Sequence, residues 1–431
     1  MDKIIDRFGF SDPNVQMVVI ACMILGSASA IVGVFAFLRK RALLGDAIAH
    51  SILPGICLAF IISGTKNPFY LILGALVSAW VSIVFMDALV RTSKIKNDAA
   101  IGITLSVFFG IGILLLTSIQ HSGNANQAGL ESILFGQAAA LSVMDIYTFS
   151  ILGILLISTV CLLFKEFKLI SFNPEYAKVI GLPIKWLEFI LSTITILAVA
   201  LGIQAVGVVL MAALLITPAA AARYWSNNLI IILLLSAFFG AFAAFIGSMV
   251  SYLSIQMPTG PWVVVVLSII AMISIFFAPK KGLLYRNRNQ RKNRLKILLE
   301  NILKTFYQLG ERENDFQKSR KLEELILHRK IDRKELISGL KRLKRKNLLR
   351  NKEEMWILTN EGLREAKRMV KLHRLWEMYL SQRLNLKADH VHHDAEAIEH
   401  IITPELEQQL ERELDFPTKD PHQSNIPYST N

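Results

Sequence analysis

Nine apolar runs occupy the first 278 residues, at about 15–38, 47–63, 68–90, 99–118, 145–164, 187–203, 205–222, 229–253 and 261–278. Most approach or exceed the ~20 residues a helix needs to cross the hydrocarbon core of a bilayer. Inside a bilayer the backbone must satisfy its own polar groups, so runs of this kind fold as helices packed into a bundle. The pattern therefore predicts a polytopic membrane protein with nine spans, give or take one. A shorter run, "ESILFGQAAA" (131–140), cannot span and reads as a re-entrant or interfacial piece. The first apolar run lacks a basic leader and a small-residue cleavage site, so no cleavable signal peptide is expected.

Charge divides the chain in two. Of its 47 Lys+Arg only 14 lie in residues 1–278, against 11 of the 34 Asp+Glu, which leaves a net of about +10 on the last 153 residues. Seven of the nine histidines lie there too. Basic loops at 39–41, 91–98 and 165–186, Arg223, and everything after Lys280 alternate onto one side, whereas 119–130 and 254–260 hold no Lys or Arg. Cytoplasmic loops collect Lys and Arg, so the tail is expected in the cytoplasm and the N-terminus outside. Cys22, Cys57 and Cys161 all sit in apolar runs without metal-type spacing. They read as small packed hydrophobes rather than as a disulfide framework.

Three stretches favour a transporter over an inert anchor. In "RKRALLGDAIAHSILPG" (39–55), Asp46 and His50 stand one helical turn apart at a membrane segment. Ionisable groups there are costly and mark a pathway or a partner; the alternative is that Asp46 caps the helix and His50 sits at the interface. "SFNPEYAKVIGLP" (171–183) is polar with a short helical pattern, and would equally suit an ordinary cytoplasmic loop. "GVVLMAALLITPAAAA" (207–222) is rich in small residues around Pro218. Small residues allow close helix packing, and Pro breaks a helix where a neighbour or cavity satisfies the backbone.

On "LLGDAIAHSILPG", "LESILFGQAAALSVMDI", "FNPEYAKVIGLP", "VGVVLMAALLITPAAAAR" and "PTGPWVVVV", in that order over 39–278, the membrane half resembles the permease subunits of bacterial ABC transporters for manganese, zinc and ferrous iron. The resemblance implies a bacterial cytoplasmic-membrane protein working as a homodimer or paired permease. It also implies separate cytoplasmic ATPase subunits and an extracytoplasmic metal-binding protein. Asp46 and His50 match the family's second-helix motif and inherit a metal-path role. Family members often carry "SH" before "LPG", where this chain has Ala49-His50. The 172–183 segment becomes the coupling helix that meets the ATPase, with Asn173, Pro174, Glu175 and Gly181 as its marks. No G-x-x-x-x-G-K-S/T loop occurs in the chain, in keeping with a transport subunit rather than an enzyme.

Beyond Pro279, "KKGLLYRNRNQRKNRLK" (280–296) is a basic juxtamembrane linker of the kind that meets anionic lipid headgroups. Amphipathic helices follow in "LKILLENILKTFYQLGE", "RKLEELILHRK" and "KELISGLKRLKRKNLL". "NLLRNKEEMWILTNEG" (347–362) then reads as two short strands around a polar turn, with Thr359 or Asn360 starting a helix. Helix, turn, helix, hairpin is a winged helix-turn-helix order. Further on, "MVKLHRLWEMYL" sets His373 and Glu377 one turn apart. In "ADHVHHDAEAIEHIITPE" (388–405), His392, Glu396, Glu399 and His400 fall on one helical stripe.

Through "LTNEGLREA", "LHRLWEMYL", "VHHDAEAIEH" and "PHQSNIP", residues 295–427 resemble the diphtheria-toxin-repressor family of metal-dependent regulators. The resemblance implies a primary metal position at Glu396, Glu399 and His400, a second at His373, Glu377 and His392, and a dimer interface on the helix joining them. His390 and His393 match no ligand and read as surface residues. A set of carboxylates and imidazoles without thiolate favours Mn2+ or Fe2+ over a closed Cys-type zinc site, although Zn2+ also binds such sites. Two positions depart from the family. Asn301 stands where a Met or Asp ligand is usual. The recognition helix "RKELISGLKRLKRK" lacks the Ser/Thr-rich opening, leaving Arg333, Lys334, Ser338 and Lys341 as its candidate DNA contacts.

The expectation is an all-α polytopic bundle over 1–279, the linker at 280–296, a winged helix-turn-helix over 297–365 and a helical metal-binding and dimerisation domain over 366–431. The function expected is a divalent-metal ABC importer permease with a cytoplasmic metal-sensing tail that regulates transport. The rival is a tail that binds DNA as a metal-dependent regulator, tethered or released by proteolysis. A hydrolytic metal centre in the tail is disfavoured, because no H-E-x-x-H helix is present.

Overall fold

All nine apolar runs fall on helices of the computed structural model, which describes residues 13–39, 44–65, 67–121, 143–253, 259–329, 331–384 and 404–428. The chain forms two compact units, Met1–Arg286 and Asn287–Asn431. In the first, α1 (Pro13–Leu38), α2 (Leu44–Ser63), α3 (Pro68–Thr92) and α4 (Asn97–His121) precede α5 (Val143–Leu162), α6 (Phe164–Phe172) and α7 (Pro174–Val179). Then come α8 (Ile184–Val206), α9 (Val208–Trp225), α10 (Leu229–Leu253) and α11 (Thr259–Phe277). The short run at 131–140 lies outside the described residues.

Among the described residues seven helices are long and apolar enough to cross a membrane, and α5 with α6, bent by 68°, makes an eighth. This is slightly below the nine runs read from the sequence. Between the runs 187–203 and 205–222, Gly207 at φ 93° separates α8, which ends at Val206, from α9, which starts at Val208. A residue with a Cβ rarely adopts that backbone conformation.

Small residues let the helices close on one another. α1 packs along α10 with Gly26 against Gly240, where a Cβ on either would meet the other's carbonyl oxygen within 2.7 Å. Gly55 of α2 and Gly74 of α3 meet in the same way, at 2.3 Å or less. Close backbone approach of this kind is a main source of helix association in lipid. The Ser236 hydroxyl of α10 donates to the Ala30 carbonyl of α1 at 3.0 Å, and Ser78 of α3 donates to the Ser51 carbonyl of α2 at 2.6 Å. Phe35, Ile48, Phe149, Phe167 and Met211 are fully buried in the bundle's apolar core. Large side chains such as Leu234 and Phe238 are exposed on its surface, as suits a lipid-facing helix.

The second unit has the predicted winged-helix order. α12 (Leu283–Glu313) continues out of the basic stretch and is followed by α13 (Leu322–His328), α14 (Arg333–Arg345), β1 (Leu349–Lys352), β2 (Met355–Leu358), α15 (Asn360–Leu384) and α16 (Pro404–Glu413). The strands pair antiparallel from Leu349↔Leu358 to Lys352↔Met355. Glu353 and Glu354 both have positive φ, which is the two-residue hairpin geometry that matches strand twist. A bridge between Arg320 and Trp356 adds a short third edge. Asp332 caps α14 by accepting from the Lys334 amide at 3.0 Å. Thr359 caps α15, its Oγ1 accepting from the Gly362 amide at 3.0 Å and donating to the Asn347 carbonyl at 2.7 Å. Ile302, Phe306, Leu336, Leu340, Leu343 and Val370 fill this unit's main core.

α15 then organises the end of the chain. Arg368 and Lys371 pair with Glu407 of α16 at 3.0 and 2.6 Å, and Lys371 also reaches Glu411 at 2.7 Å. Arg374, buried, makes a two-pronged contact with Glu311 of α12 at 2.9 and 2.6 Å and reaches Asp420 at 3.3 Å. Asp420 in turn accepts from the amides of His422 and Ser424, closing "PHQSNIP" into a hook. Guanidinium–carboxylate forks of this type fix geometry as well as add energy.

Candidate metal sites

In the membrane unit the site grows from the first turns of α2. Asp46 lies in its first turn and His50 one turn on, with Nε2 of His50 3.5 Å from Oδ1 of Asp46. The His50 side chain is 16% exposed and that of Asp46 38%. The His50 ring stands edge-on to Phe109 of α4, centroids 4.9 Å apart. Its Nδ1 is buried with no hydrogen-bond partner among the described residues. Pro54, one turn further on within α2, has no N–H to offer the His50 carbonyl. One residue thus brings an imidazole nitrogen and a carbonyl oxygen released from the helix ladder, next to a carboxylate. Nitrogen and oxygen donors of this kind suit Mn2+, Fe2+ and Zn2+.

The segment after α6 is a short, separately capped helix. Asn173 caps α7, its Oδ1 accepting from the Tyr176 amide at 3.0 Å, and Pro174 takes the first helical position, where no N–H is needed. Glu175 lies in the first turn, favourable for the helix dipole. Gly181, at φ 83°, ends the helix; its amide donates to the Lys178 carbonyl, and the Leu182 amide reaches back to Ala177. The short helix presents Tyr176, Val179 and Ile180 exposed at 54%, 83% and 51%.

In the tail, α15 brings His373 and Glu377 together, with Nε2 3.0 Å from Oε1 and side chains 5% and 2% exposed. A buried imidazole–carboxylate pair offers a nitrogen and oxygen donors to a cation without recruiting either from solvent. His392, Glu396, Glu399 and His400 lie outside the described residues. Among the described residues no three of His, Cys, Asp and Glu gather into a cluster. The Asn301 side-chain oxygen is buried and has no hydrogen-bond partner among the described residues.

Arg333, Lys334, Ser338 and Lys341 are all exposed, on the side of α14 opposite Leu336, Gly339, Leu340 and Leu343. Sequence reading missed the Glu311–Arg374–Asp420 cluster, whose members are far apart in the chain and carry no spacing signal.

The model of the ABC 3 transport family matches residues 11–278, and that of the iron dependent repressor, metal binding and dimerisation domain, matches residues 359–428. The manganese transport system membrane protein MntC of Bacillus subtilis is 35% identical over 375 residues, which is 87% of this chain and 86% of that protein. The zinc transport system membrane protein TroC of Treponema pallidum is 43% identical over 291 residues, covering 68% of this chain and 97% of that one. Among solved structures, PsaBC from Streptococcus pneumoniae in complex with Fab matches with a TM-score of 0.58 at 32% identity, covering 64% of this chain and 97% of that chain.

Proposed function

The chain belongs to the ABC 3 transport family, and on that premise we propose that it admits Mn2+ or Fe2+ in preference to Zn2+ and senses the same ion with its tail. It is the membrane permease subunit of a metal ABC transporter, a multi-pass protein that leaves ATP hydrolysis to a separate subunit. The family also implies an extracytoplasmic binding protein that delivers the cargo. Pairing with a second permease copy, and a cytoplasmic location for the tail, belong to the same proposal.

The observation that carries the transport reading is the Asp46–His50 pair beside the Pro54 break. A cation released into the bundle there exchanges water for imidazole, carboxylate and carbonyl donors, with Phe109 closing one side. The absence of a thiolate in this set favours Mn2+ or Fe2+ over a closed thiolate zinc site. The relatives are named for manganese and for zinc, so the experiment must rank the ions. Proteoliposomes holding the permease with its ATPase and binding protein should take up Mn2+ on addition of ATP. Competition among Mn2+, Fe2+ and Zn2+ then orders the preference.

For the tail, the match to a metal-binding and dimerisation domain and the buried His373–Glu377 pair support a divalent cation as its effector. Both residues have the donor chemistry required, and Glu396, Glu399, His400 and His392 are proposed to complete the two positions. Bound metal supplies positive charge that ties these carboxylates and imidazoles together. Metal entering the cytoplasm would favour one tail arrangement and, through it, one state of the transporter, which is feedback by differential affinity. Permeases pair and repressor-like domains pair, so one two-fold axis would serve both.

The exposed basic face of α14 favours a second reading, in which the tail contacts DNA through Arg333, Lys334, Ser338 and Lys341. Metal-dependent footprinting on the transporter's own promoter, together with a search for a released tail fragment, separates the two.

A further inference from the structure

A cavity of about 960 Å³ opens in the second unit between the first half of α12, the C-terminal end of α14 and the start of α15. Its lining includes neither His373 nor Glu377, and none of Arg333, Lys334, Ser338 and Lys341. Its rim carries five cations, Lys292 and Lys296 from α12, Arg342 and Arg345 from α14 and Lys346 at its C-cap, against the carboxylates of Glu300 and Glu365. Lys292, Arg342, Arg345 and Lys346 are exposed and have no ion-pair partner among the described residues. Lys296 lies 3.7 Å from Glu300. Beneath the rim the lining is leucine: Leu295 and Leu348 are half-buried, and Leu299, Leu303 and Leu343 belong to the buried core behind them. The stripe is built by helical spacing: 292, 296, 299 and 303 share one face of α12, and 342, 345 and 346 share one face of α14 and its C-cap.

Charge at the mouth and leucine within describe an amphiphilic anion. A double helix is convex and presents no apolar surface to fill such a wall. A nucleotide base calls for an aromatic face or paired donors and acceptors, and leucines supply neither. A fatty chain joined to a phosphate fits both parts, and the cavity is within the size range of small-ligand sites. The position in the chain supplies the source. α12 opens directly after the last apolar span with Leu283, Leu284 and Tyr285, each about half exposed, and continues through Arg286, Arg288 and Arg291. Apolar residues followed by a run of arginines at a last membrane helix suit the headgroup region of an anionic leaflet.

We propose that this cavity binds an anionic phospholipid, its phosphate held by Lys292, Arg342, Arg345 and Lys346 and one acyl chain lying on the leucine wall. The proposal rests on the reading of the tail as cytoplasmic, next to the inner leaflet. Two of the rim cations belong to α14 and a third is its C-cap, so a lipid seated there holds that helix at the membrane surface and withdraws it from duplex DNA. It also gives the tail a fixed attachment through which a metal-dependent rearrangement would act on the bundle.

The test uses the full chain in proteoliposomes doped with phosphatidylglycerol carrying a photoreactive diazirine near the acyl end, with the phosphatidylcholine analogue as control. Crosslinked peptides are located by mass spectrometry in wild type and in an Arg342→Gln/Arg345→Gln/Lys346→Gln variant. These side chains are exposed, so the variant keeps the core, and circular dichroism confirms its folding. The proposal expects phosphatidylglycerol label on peptides containing residues 295–303 and 343–348, at least tenfold less in the variant, and little from phosphatidylcholine. It is overturned if those peptides stay unlabelled, if both lipids label them equally, or if the triple variant labels as wild type does. Displacement of the label by excess duplex DNA would also overturn it, identifying the face as a nucleic-acid surface. Metal uptake recorded on the same vesicles separates this outcome from the transport reading, since active vesicles without label defeat the lipid site alone.

Discussion

Nε2 of His373 lies 3.0 Å from Oε1 of Glu377, one turn along α15, and both side chains are almost completely removed from solvent. Two such groups are costly to bury unless they are paired or bound to a cation. Glu377→Gln preserves the shape and hydrogen bonding of the site but removes the charge a cation needs. Titration of Mn2+ into the full-length protein by calorimetry should show affinity for the tail fall by at least the roughly 10–100-fold that loss of an outer-shell partner costs a metal site. Unchanged affinity would place the metal elsewhere in the tail.

Asp46 and His50 are proposed to meet the cargo within α2, and they predict a second result. Asp46→Asn and His50→Ala should each reduce ATP-driven Mn2+ uptake by about tenfold or more, on the scale of a charged ligand's hydrogen bonds at 1.4 kcal/mol per decade. The protein should remain inserted and should still associate with its ATPase, because neither side chain belongs to the α7 surface. Full uptake in both variants would return them to the alternative of a cap and an interface residue.

Val179 offers a cleaner test of coupling than the capping residues of α7. At 83% exposure it contributes little to the bundle's own packing. Surface changes of this kind usually shift stability by no more than about 0.5 kcal/mol. Val179→Asp is therefore expected to leave thermal unfolding of the permease unchanged while abolishing co-purification of the ATPase. Retention of the ATPase at wild-type level would remove α7 from the interface.

Glu313 predicts one contribution to the acid response of the tail. Hydrogen bonds from Arg320 and Lys318 hold its carboxyl down to about 2. A carboxylate whose pKa is lowered on folding contributes stability that is fully present above its ordinary value and is lost as pH falls toward the folded one. Melting of the tail followed between pH 5 and pH 2 should show wild type losing stability through that window, with Glu313→Gln losing less. Parallel curves would assign the acid response to other carboxylates.

What the sequence made legible follows from range. The apolar runs and the hairpin of the wing depend on local periodicity, and each emerged as predicted, down to Thr359 capping α15. The break between α8 and α9 was legible as the gap between the runs 187–203 and 205–222, and the structure places it at Gly207. Of the site, one-turn pairs such as Asp46–His50 and His373–Glu377 were visible because both partners share a helix. Phe109 against His50, and Glu311 with Asp420 around Arg374, join residues that only the tertiary fold brings together. The amphiphilic cavity is similar: its cations looked like two unrelated basic runs until α12 and α14 were packed.

The central claim is that one ion is both cargo and signal. Mn2+ uptake by the reconstituted transporter should be measured with the ion buffered at rising concentration on the tail side, in wild type and in a His373→Ala/Glu377→Gln variant. The account predicts that wild-type uptake slows by several-fold, within the 5–150-fold range typical of coupling between sites, while the variant continues unchecked. Equal slowing in both, or none in wild type, would contradict it.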